Sequence, residues 1–175
     1  MKMVQNMKKP VYLDYNATTP IDPEVANEMM PYIESFYGNP SSAYSIGRTN
    51  KEAVEKARAQ VASLINAKPD EIIFTSCATE SNNIAIKGIA RANSGKGRHI
   101  ITSAIEHPAV TEVCKFLSLQ GFEITWLPVD QYGRIDPKDV ENAVRKDTVL
   151  ITIMHANNEV GTIQHMEEIG AIAKE

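Results

Sequence analysis

The sequence predicts an α/β fold, a three-layer and mostly parallel sheet with helices on both faces, preceded by a helical segment at the N-terminus. Two observations lead to this prediction. From residue 70 onward, short segments rich in β-branched residues alternate with segments of helical periodicity. The last strand-like segment, residues 148–154, is apolar throughout, which is typical of a strand buried on both faces of a parallel sheet. Strands and helices in this order favour right-handed crossovers.

The first 66 residues lack this alternation and predict mainly helices. Residues 11–14 are a short strand candidate, and Pro23 opens the first helix because proline is favoured at the first helical position. The turn-forming run GNPSS at residues 38–42 ends that helix, and a second helix covers residues 47–66. Apolar side chains at helical spacing line one face of the first helix: Val25, Met29, Tyr32, Ile33 and Phe36.

The sequence is predicted to divide into two parts at residue 66. The chain ends inside the last predicted helix with no Gly or Pro stop signal, so we expect an α/β domain truncated at its C-terminal end. We therefore assign residues 1–66 to an N-terminal arm and helices, part of a smaller domain or dimer contact, and residues 67–175 to the N-terminal portion of a large α/β domain. Strands are predicted at 71–75, 98–103, 122–127 and 148–154, and helices at 80–92, 108–120, 136–144 and 167–175.

Composition and charge argue against several classes of partner. The net charge is -4 and the basic residues are scattered, which gives no reason to expect a nucleic-acid partner. No apolar stretch approaches the length of a membrane span, and the N-terminus lacks the apolar core of a secretory signal. These observations predict a cytoplasmic protein that binds neither nucleic acid nor membrane.

The cysteines and histidines do not predict a metal site. The two cysteines, Cys77 and Cys114, and the four histidines are dispersed without the spacing of a zinc site. Cys114 lies on the apolar stripe of a predicted helix and is expected in the core. Cys77 is expected to act as a small structural residue, since most cysteines behave as small hydrophobes.

The loops that follow the predicted strands are the candidate binding segments, because ligands of open α/β sheets bind beyond the carboxyl ends of the strands. Ala78 and Thr79 open a helix, where free N–H groups and the positive end of the dipole favour an anion. Ordinary helix capping by Ser76 or Thr79 explains the same residues equally well. The first loop therefore predicts either a phosphate site or a simple cap.

Two further loops carry polar side chains. His107 directly precedes Pro108 at a helix start, where a neutral imidazole is favoured and can accept a proton or stack on a flat ligand; the alternative is a surface histidine. Asn158 can donate to and accept from a ligand oxygen, or Asn157 and Asn158 can both simply hold the turn. Together the three loops predict a site for a phosphorylated small molecule, whose identity these residues leave open.

Five segments, in order along the chain, make the sequence resemble the cysteine desulfurases of the NifS/IscS branch, within the class V aminotransferase-like, fold-type I pyridoxal 5'-phosphate (PLP) enzymes. The resemblance implies the large domain of a PLP-dependent transferase, here incomplete. It departs from the family at Cys77, where the family usually has glycine, and this side chain is expected to narrow the phosphate loop slightly. The segments are residues 12–20 (YLDYNATTP), 38–42 (GNPSS), 73–83 (IFTSCATESNN), 106–107 (EH) and 154–161 (MHANNEVG).

The resemblance implies a role for each candidate residue. Ala78 and Thr79 correspond to the pair that holds the cofactor phosphate, and His107 to the catalytic histidine that stacks on the pyridine ring and helps to shuttle protons. Asn158 corresponds to the amide near the phenolic oxygen of PLP and the substrate carboxylate. The resemblance also implies a homodimer that converts L-cysteine to L-alanine and passes enzyme-bound persulfide sulfur to an Fe-S scaffold or another sulfur-acceptor protein.

The residues that carry the family's covalent chemistry follow this region in the family. None of the twelve lysines lies in the Ser-x-His-Lys segment that binds PLP covalently, and the family's persulfide cysteine lies far beyond residue 175. We therefore expect the chain alone to be inactive. Two alternatives stay open: a related class V enzyme, such as a selenocysteine lyase or an aminotransferase, and a non-enzymatic partner-binding fragment whose unfinished sheet exposes an apolar edge.

Overall fold

The computed structural model describes residues 10–174 of the chain, which fall into two compact units. The first unit ends at Phe74 and the second begins at Thr75. The N-terminal arm predicted before residue 10 lies outside the described residues. The assignment of residues 1–66 and 67–175 to separate domains stays a prediction.

The first unit is helical. Helix α1 covers Pro23–Glu34 and helix α2 covers Ser45–Leu64, and a single 3-10 turn follows at Pro69–Glu71. Helix α1 begins as predicted, with Pro23 at its first position and the Asp22 carboxylate accepting the Glu24 N–H at 2.8 Å.

Two predicted strands are wrong. Residues 11–14 are irregular and end in a turn. Residue 71 is the last residue of the 3-10 turn, and residues 72–75 follow it without strand pairing. A β-rich sequence forms a strand only when a neighbouring strand accepts its backbone hydrogen bonds. In the described part of the chain neither segment has such a neighbour, so the sheet has three strands where the sequence predicts four after residue 70.

The second unit is an α/β structure built on one parallel sheet. Its strand order is β2-β1-β3, and both pairings with the central strand are parallel. Each predicted strand and helix from residue 78 onward is present, with ends that shift by at most three residues. The strands are β1 (His99–Ser103), β2 (Glu123–Leu127) and β3 (Thr148–Thr152), and the helices are α3 (Ala78–Ala92), α4 (Pro108–Ser118), α5 (Pro137–Ala143) and α6 (Met166–Ile172).

Apolar clusters cover both faces of this sheet. Ile100 and Ile101 are consecutive on β1 and therefore point to opposite faces. Helices α3 and α4 cover the face of Ile100, and helices α5 and α6 cover the face of Ile101, which gives the three predicted layers. Cys114 is fully buried in the first cluster, as predicted. The first cluster also contains Ile86, Ala90, Val110, Val113, Leu117 and Phe122, and the second contains Leu127, Ile135, Val140 and Ile169.

The strands differ in burial from the prediction. The sequence predicts double burial for residues 148–154, but β3 is only half-buried along its length, and the fully buried strand is β1. Strand β1 lies between two strands, whereas β3 has β1 alone as its partner among the described residues. The number of neighbouring strands, which the apolar run does not reveal, causes this difference.

Candidate functional site

The predicted site residues lie at the carboxyl end of the sheet, where the parallel strands end. Thr102 of β1 is opposite Thr152 of β3, so the loops after these strands begin side by side. Helix α3 joins the start of β1 through residues 93–98 and packs on the sheet through its buried Ile86, so its N-terminus points toward the same end. The fold therefore brings the three predicted loops to one end of one sheet.

The first residues of α3 form an uncapped helix start. Ala78 and Thr79 are both exposed, and no side chain caps the helix by a hydrogen bond. The Ser76 hydroxyl and N–H instead donate to the Glu80 carboxylate, at 2.7 and 2.6 Å. Capping by Ser76, the simpler of the two sequence interpretations, is therefore wrong, and the amides of Ala78 and Thr79 keep their capacity to bind an anion.

Cys77 reports the electrostatic character of this helix start. Its side chain is exposed, and Cys77 is the last residue before helix α3 begins. The Glu80 N–H lowers the pKa of the Cys77 thiol, and the Ser76 hydroxyl, 3.8 Å from the sulfur, lowers it further. The same donors that favour a thiolate favour any other anion placed at the helix N-terminus.

The His107 ring is exposed and held from one side. Its Nδ1 accepts the Ala109 N–H at 3.0 Å, so His107 caps helix α4 with its own side chain. This bond places the lone pair on Nδ1 and leaves Nε2 without a hydrogen-bond partner among the described residues. The ring is thus oriented by the helix while one nitrogen stays available to exchange a proton.

The two consecutive asparagines have separate tasks. Asn157 is buried, and its Oδ1 accepts the N–H groups of Glu159 and Val160 at 2.9 and 3.0 Å. Asn158 is exposed, and its amide donates to the Glu159 carboxylate at 2.8 Å. Of the two sequence interpretations, turn formation therefore applies to Asn157, and Asn158 remains available to a ligand.

Glu106 is a residue at this end of the sheet to which the sequence assigns no role. It is only 9% exposed, and its Oε1 accepts the Ser103 hydroxyl at 2.7 Å and the Met154 N–H at 2.8 Å. Burial raises the pKa of the Cys114 thiol to about 11, and the nearby Glu106 charge adds to this effect. In the sequence, the signal that points to Glu106 is its position directly before His107, in one of the segments that resemble cysteine desulfurases.

The opposite end of the sheet, the amino end, holds a second polar cluster that the sequence does not predict. His99 is fully buried, and its two ring nitrogens lie 2.7 Å from the hydroxyls of Thr125 and Thr148. Burial lowers the pKa of His99, and the Arg145 guanidinium lowers it further. This histidine joins the three strands to one another where they begin.

Within residues 10–174, no group of three or more His, Cys, Asp and Glu side chains is arranged to hold a metal ion. In the same range, no helix has both the length and the apolar character that a bilayer span requires.

Comparison with known proteins gives close relatives along almost the whole chain. The model of the family Aminotransferase class-V matches residues 11–175. Cysteine desulfurase IscS of Dictyoglomus turgidum is 59% identical over 169 residues, which are 97% of this chain and 43% of that protein. Cysteine desulfurase IscS of Methanosarcina thermophila is 56% identical over 172 residues, 98% of this chain and 43% of that protein. The chain spans less than half the length of the curated relatives it matches.

Solved structures resemble the chain equally well. A NifS-like protein matches with a TM-score of 0.91 and 46% identity, over 94% of this chain and 45% of that chain. The structure of SspA in complex with cysteine matches with a TM-score of 0.89 and 43% identity, over 93% of this chain and 47% of that chain. These matches confirm the predicted α/β fold class.

Proposed function

Because the chain belongs to the aminotransferase class-V family, we propose that it is the N-terminal part of a PLP-dependent cysteine desulfurase. The curated relatives named above are cysteine desulfurases, so the predicted resemblance is confirmed at the level of the family. The proposed reaction converts L-cysteine to L-alanine and leaves the sulfur on the enzyme as a persulfide. The observation that supports it best is the combination of an uncapped helix start, an exposed imidazole and an exposed amide at one end of the sheet.

The residues present fit PLP chemically. The cofactor has an anionic phosphate, a flat ring and a phenolic oxygen, and the exposed groups at the carboxyl end of the sheet complement each of these. When bound, PLP supplies an electron sink for the reaction at the substrate. The amides of Ala78 and Thr79, together with the Thr79 hydroxyl, are proposed to hold its phosphate at the positive end of the α3 dipole.

His107 is proposed to do two things. Its exposed ring stacks on the flat ring of the cofactor, and the ring helps to shuttle a proton. The bond from the Ala109 N–H to Nδ1 restrains the ring and, in the neutral imidazole, places the proton on Nε2, so Nε2–H is the group that can donate a proton.

Asn158 is proposed to orient the ligand. Its exposed amide has both a donor and an acceptor, which suits the phenolic oxygen of the cofactor and the carboxylate of the substrate. The buried Asn157 supports this by fixing the turn that presents Asn158.

The covalent steps are proposed to need residues beyond these 175. None of the twelve lysines lies in the family's Ser-x-His-Lys segment, and the exposed Cys77 directly precedes the helix start that is proposed to hold the phosphate. The 175-residue chain alone is therefore proposed to be inactive. A homodimeric, cytoplasmic parent protein that delivers its sulfur to an Fe-S scaffold or another acceptor is proposed on the resemblance to cysteine desulfurases.

The experiment compares the 175-residue chain with the full protein encoded by its gene, each supplied with PLP, L-cysteine and a reductant. We expect sulfide and L-alanine in equal amounts from the full protein and neither product from the 175-residue chain. Turnover by the short chain would contradict the proposed division of residues. Turnover of L-selenocysteine alone, or amino transfer to an oxo acid, would replace the proposed reaction by that of a selenocysteine lyase or an aminotransferase.

A further inference from the structure

Glu106 is a buried acid whose charge is not balanced by an ion pair. It is 9% exposed, and in the part of the chain that the structure describes no lysine, arginine or histidine forms a salt bridge with it. Burying a carboxylate is unfavourable unless hydrogen bonds or a cation compensate for the lost water. Its Oε1 receives two such bonds, from the hydroxyl of Ser103 and the N–H of Met154.

These two donors lie at the ends of different strands. Ser103 is the last residue of β1, and Met154 follows the end of β3 by two residues. Glu106 itself directly precedes His107, whereas Met154 leads into the turn of Asn157 and Asn158. One carboxylate oxygen therefore connects the loop that carries the imidazole to the loop that carries the amide.

Few other contacts join the two loops. The β1–β3 pairing ends at Thr102 and Thr152, before either loop begins. Beyond the Glu106 bonds, the described residues connect the loops through the Asn157 side-chain amide, which donates to the Ile105 carbonyl at a long 3.3 Å. Of these two hydrogen bonds between the loops, the one from the Met154 N–H to Glu106, at 2.8 Å, is the shorter.

We propose that Glu106 is a positioning residue that sets the place of the His107 ring relative to Asn158 by tying the loop after β1 to the end of β3. This rests on the proposed function, in which His107 and Asn158 act on one ligand. A displacement of about 1 Å of a group that acts on a substrate can reduce its rate about 100-fold, so a connection of this kind has a large functional effect. Glu106 does not touch the ligand in this proposal.

The chemistry of the carboxylate suits this task better than that of other side chains. An O–H and an N–H donor converge on one oxygen, and an ionised carboxylate only accepts hydrogen bonds, more strongly than a neutral amide does. Glutamine keeps an acceptor oxygen at the same reach but loses the charge. The expected order of function is therefore wild type, then Glu106→Gln, then Glu106→Ala.

The test uses the full protein with PLP bound and compares Glu106→Ala and Glu106→Gln with Val113→Ala, a core substitution on α4 that removes only apolar contacts. The readouts are PLP affinity, the induced circular dichroism of the bound cofactor and the melting temperature. We expect Glu106→Ala to weaken PLP affinity about tenfold and to change the dichroism, by analogy with residues that orient metal ligands. Glu106→Gln should retain part of both signals, and Val113→Ala should lower only the melting temperature.

Two results would overturn the proposal. One is a Glu106→Ala variant that melts earlier but keeps the affinity and dichroism of the Val113→Ala control, because Glu106 would then only stabilise the fold. The other concerns the protein without PLP. If the wild type binds no PLP, the proposed function fails, but NMR of the ligand-free protein still tests whether Glu106 positions the two loops.

The NMR signals of the His107 ring and the Asn158 amide should then broaden in Glu106→Ala. Unchanged signals would contradict the proposed connection.

Discussion

The two ends of the sheet use similar side chains in opposite ways. At the amino end, His99 is fully buried and both of its ring nitrogens have threonine partners. At the carboxyl end, His107 is exposed and only its Nδ1 has a partner among the described residues. The comparison teaches that a polar cluster whose donors and acceptors all bond to one another holds strands together. A cluster in which some of these groups have no partner is suited to a ligand.

The amino end forms a closed network. The Arg145 guanidinium binds the Glu123 carboxylate at 2.5 and 2.9 Å and the Asp147 carboxylate at 2.9 Å, and these bonds lower the pKa of both acids. The Arg145 N–H also donates to the Thr148 hydroxyl at 2.8 Å. The two ring nitrogens of His99 pair with the hydroxyls of Thr148 and Thr125, and a neutral imidazole donates through one nitrogen and accepts through the other.

The largest effect is expected at the carboxyl end of the sheet, where His107 is exposed. Replacing His107 by alanine in the full protein with PLP should reduce the turnover of L-cysteine about 100-fold or more, because a positioned proton carrier typically contributes at least that factor. The measurement is kcat and KM for sulfide release, with His165→Ala, an exposed histidine outside the five resembling segments, as the matched control. Equal activity of the two variants would remove His107 from the proposed mechanism.

The second largest effect is expected at the amino end of the sheet, where a substitution should reduce stability. His99→Ala removes a buried ring and leaves the Thr125 and Thr148 hydroxyls without their partner, so it should lower the free energy of unfolding by about 2–4 kcal/mol. Urea unfolding measures the change. His165→Ala, at an exposed position, serves as the control and should change stability by less than about 0.5 kcal/mol. Comparable losses in both variants would show that the His99 network does not hold the strands.

The smallest effect is a dependence of stability on pH, which is also expected from the amino end of the sheet. The folded protein lowers the pKa of His99 below its ordinary 6.5, so the unfolded chain binds the proton more readily than the folded chain. Stability should therefore fall as the pH drops below about 6.5, by at most about 1.4 kcal/mol per pH unit. Melting temperatures between pH 7.5 and 5.5 measure this, and His99→Gln should flatten the curve.

The sequence predicts the helices and the three paired strands well and fails where long-range contacts decide. Helix starts depend on neighbouring residues, so Pro23 and Pro108 identify them directly. The segment 71–75 has the composition of a strand but no partner among the described residues, and composition does not reveal a partner. The greater burial of β1 than β3 has the same cause, since it follows from the strand order.

The candidate site shows the same division. The segments that resemble cysteine desulfurases point to Ala78, Thr79, His107 and Asn158 from the sequence. The structure shows that all four are exposed, and their roles stay predictions. Asn157 holds the turn and Asn158 is exposed because the Asn157 amide points inward. The sequence does not reveal which of two adjacent asparagines points inward. Glu106 gains its role from Met154, 48 residues away, through a hydrogen bond.

The sequence by itself determines the α/β class through the alternation of strand-like and helical segments, and it determines most helix starts because these depend on neighbours a few positions apart. The roles expected of the candidate ligand-binding residues come from the resemblance to cysteine desulfurases. The tertiary structure alone separates a closed polar cluster at His99 from an open one at His107. Both are histidines near the end of a strand, and the sequence does not distinguish them. The physical reason is that hydrogen-bond saturation depends on donors and acceptors from other strands, such as Thr125 and Thr148, which only folding brings to the ring.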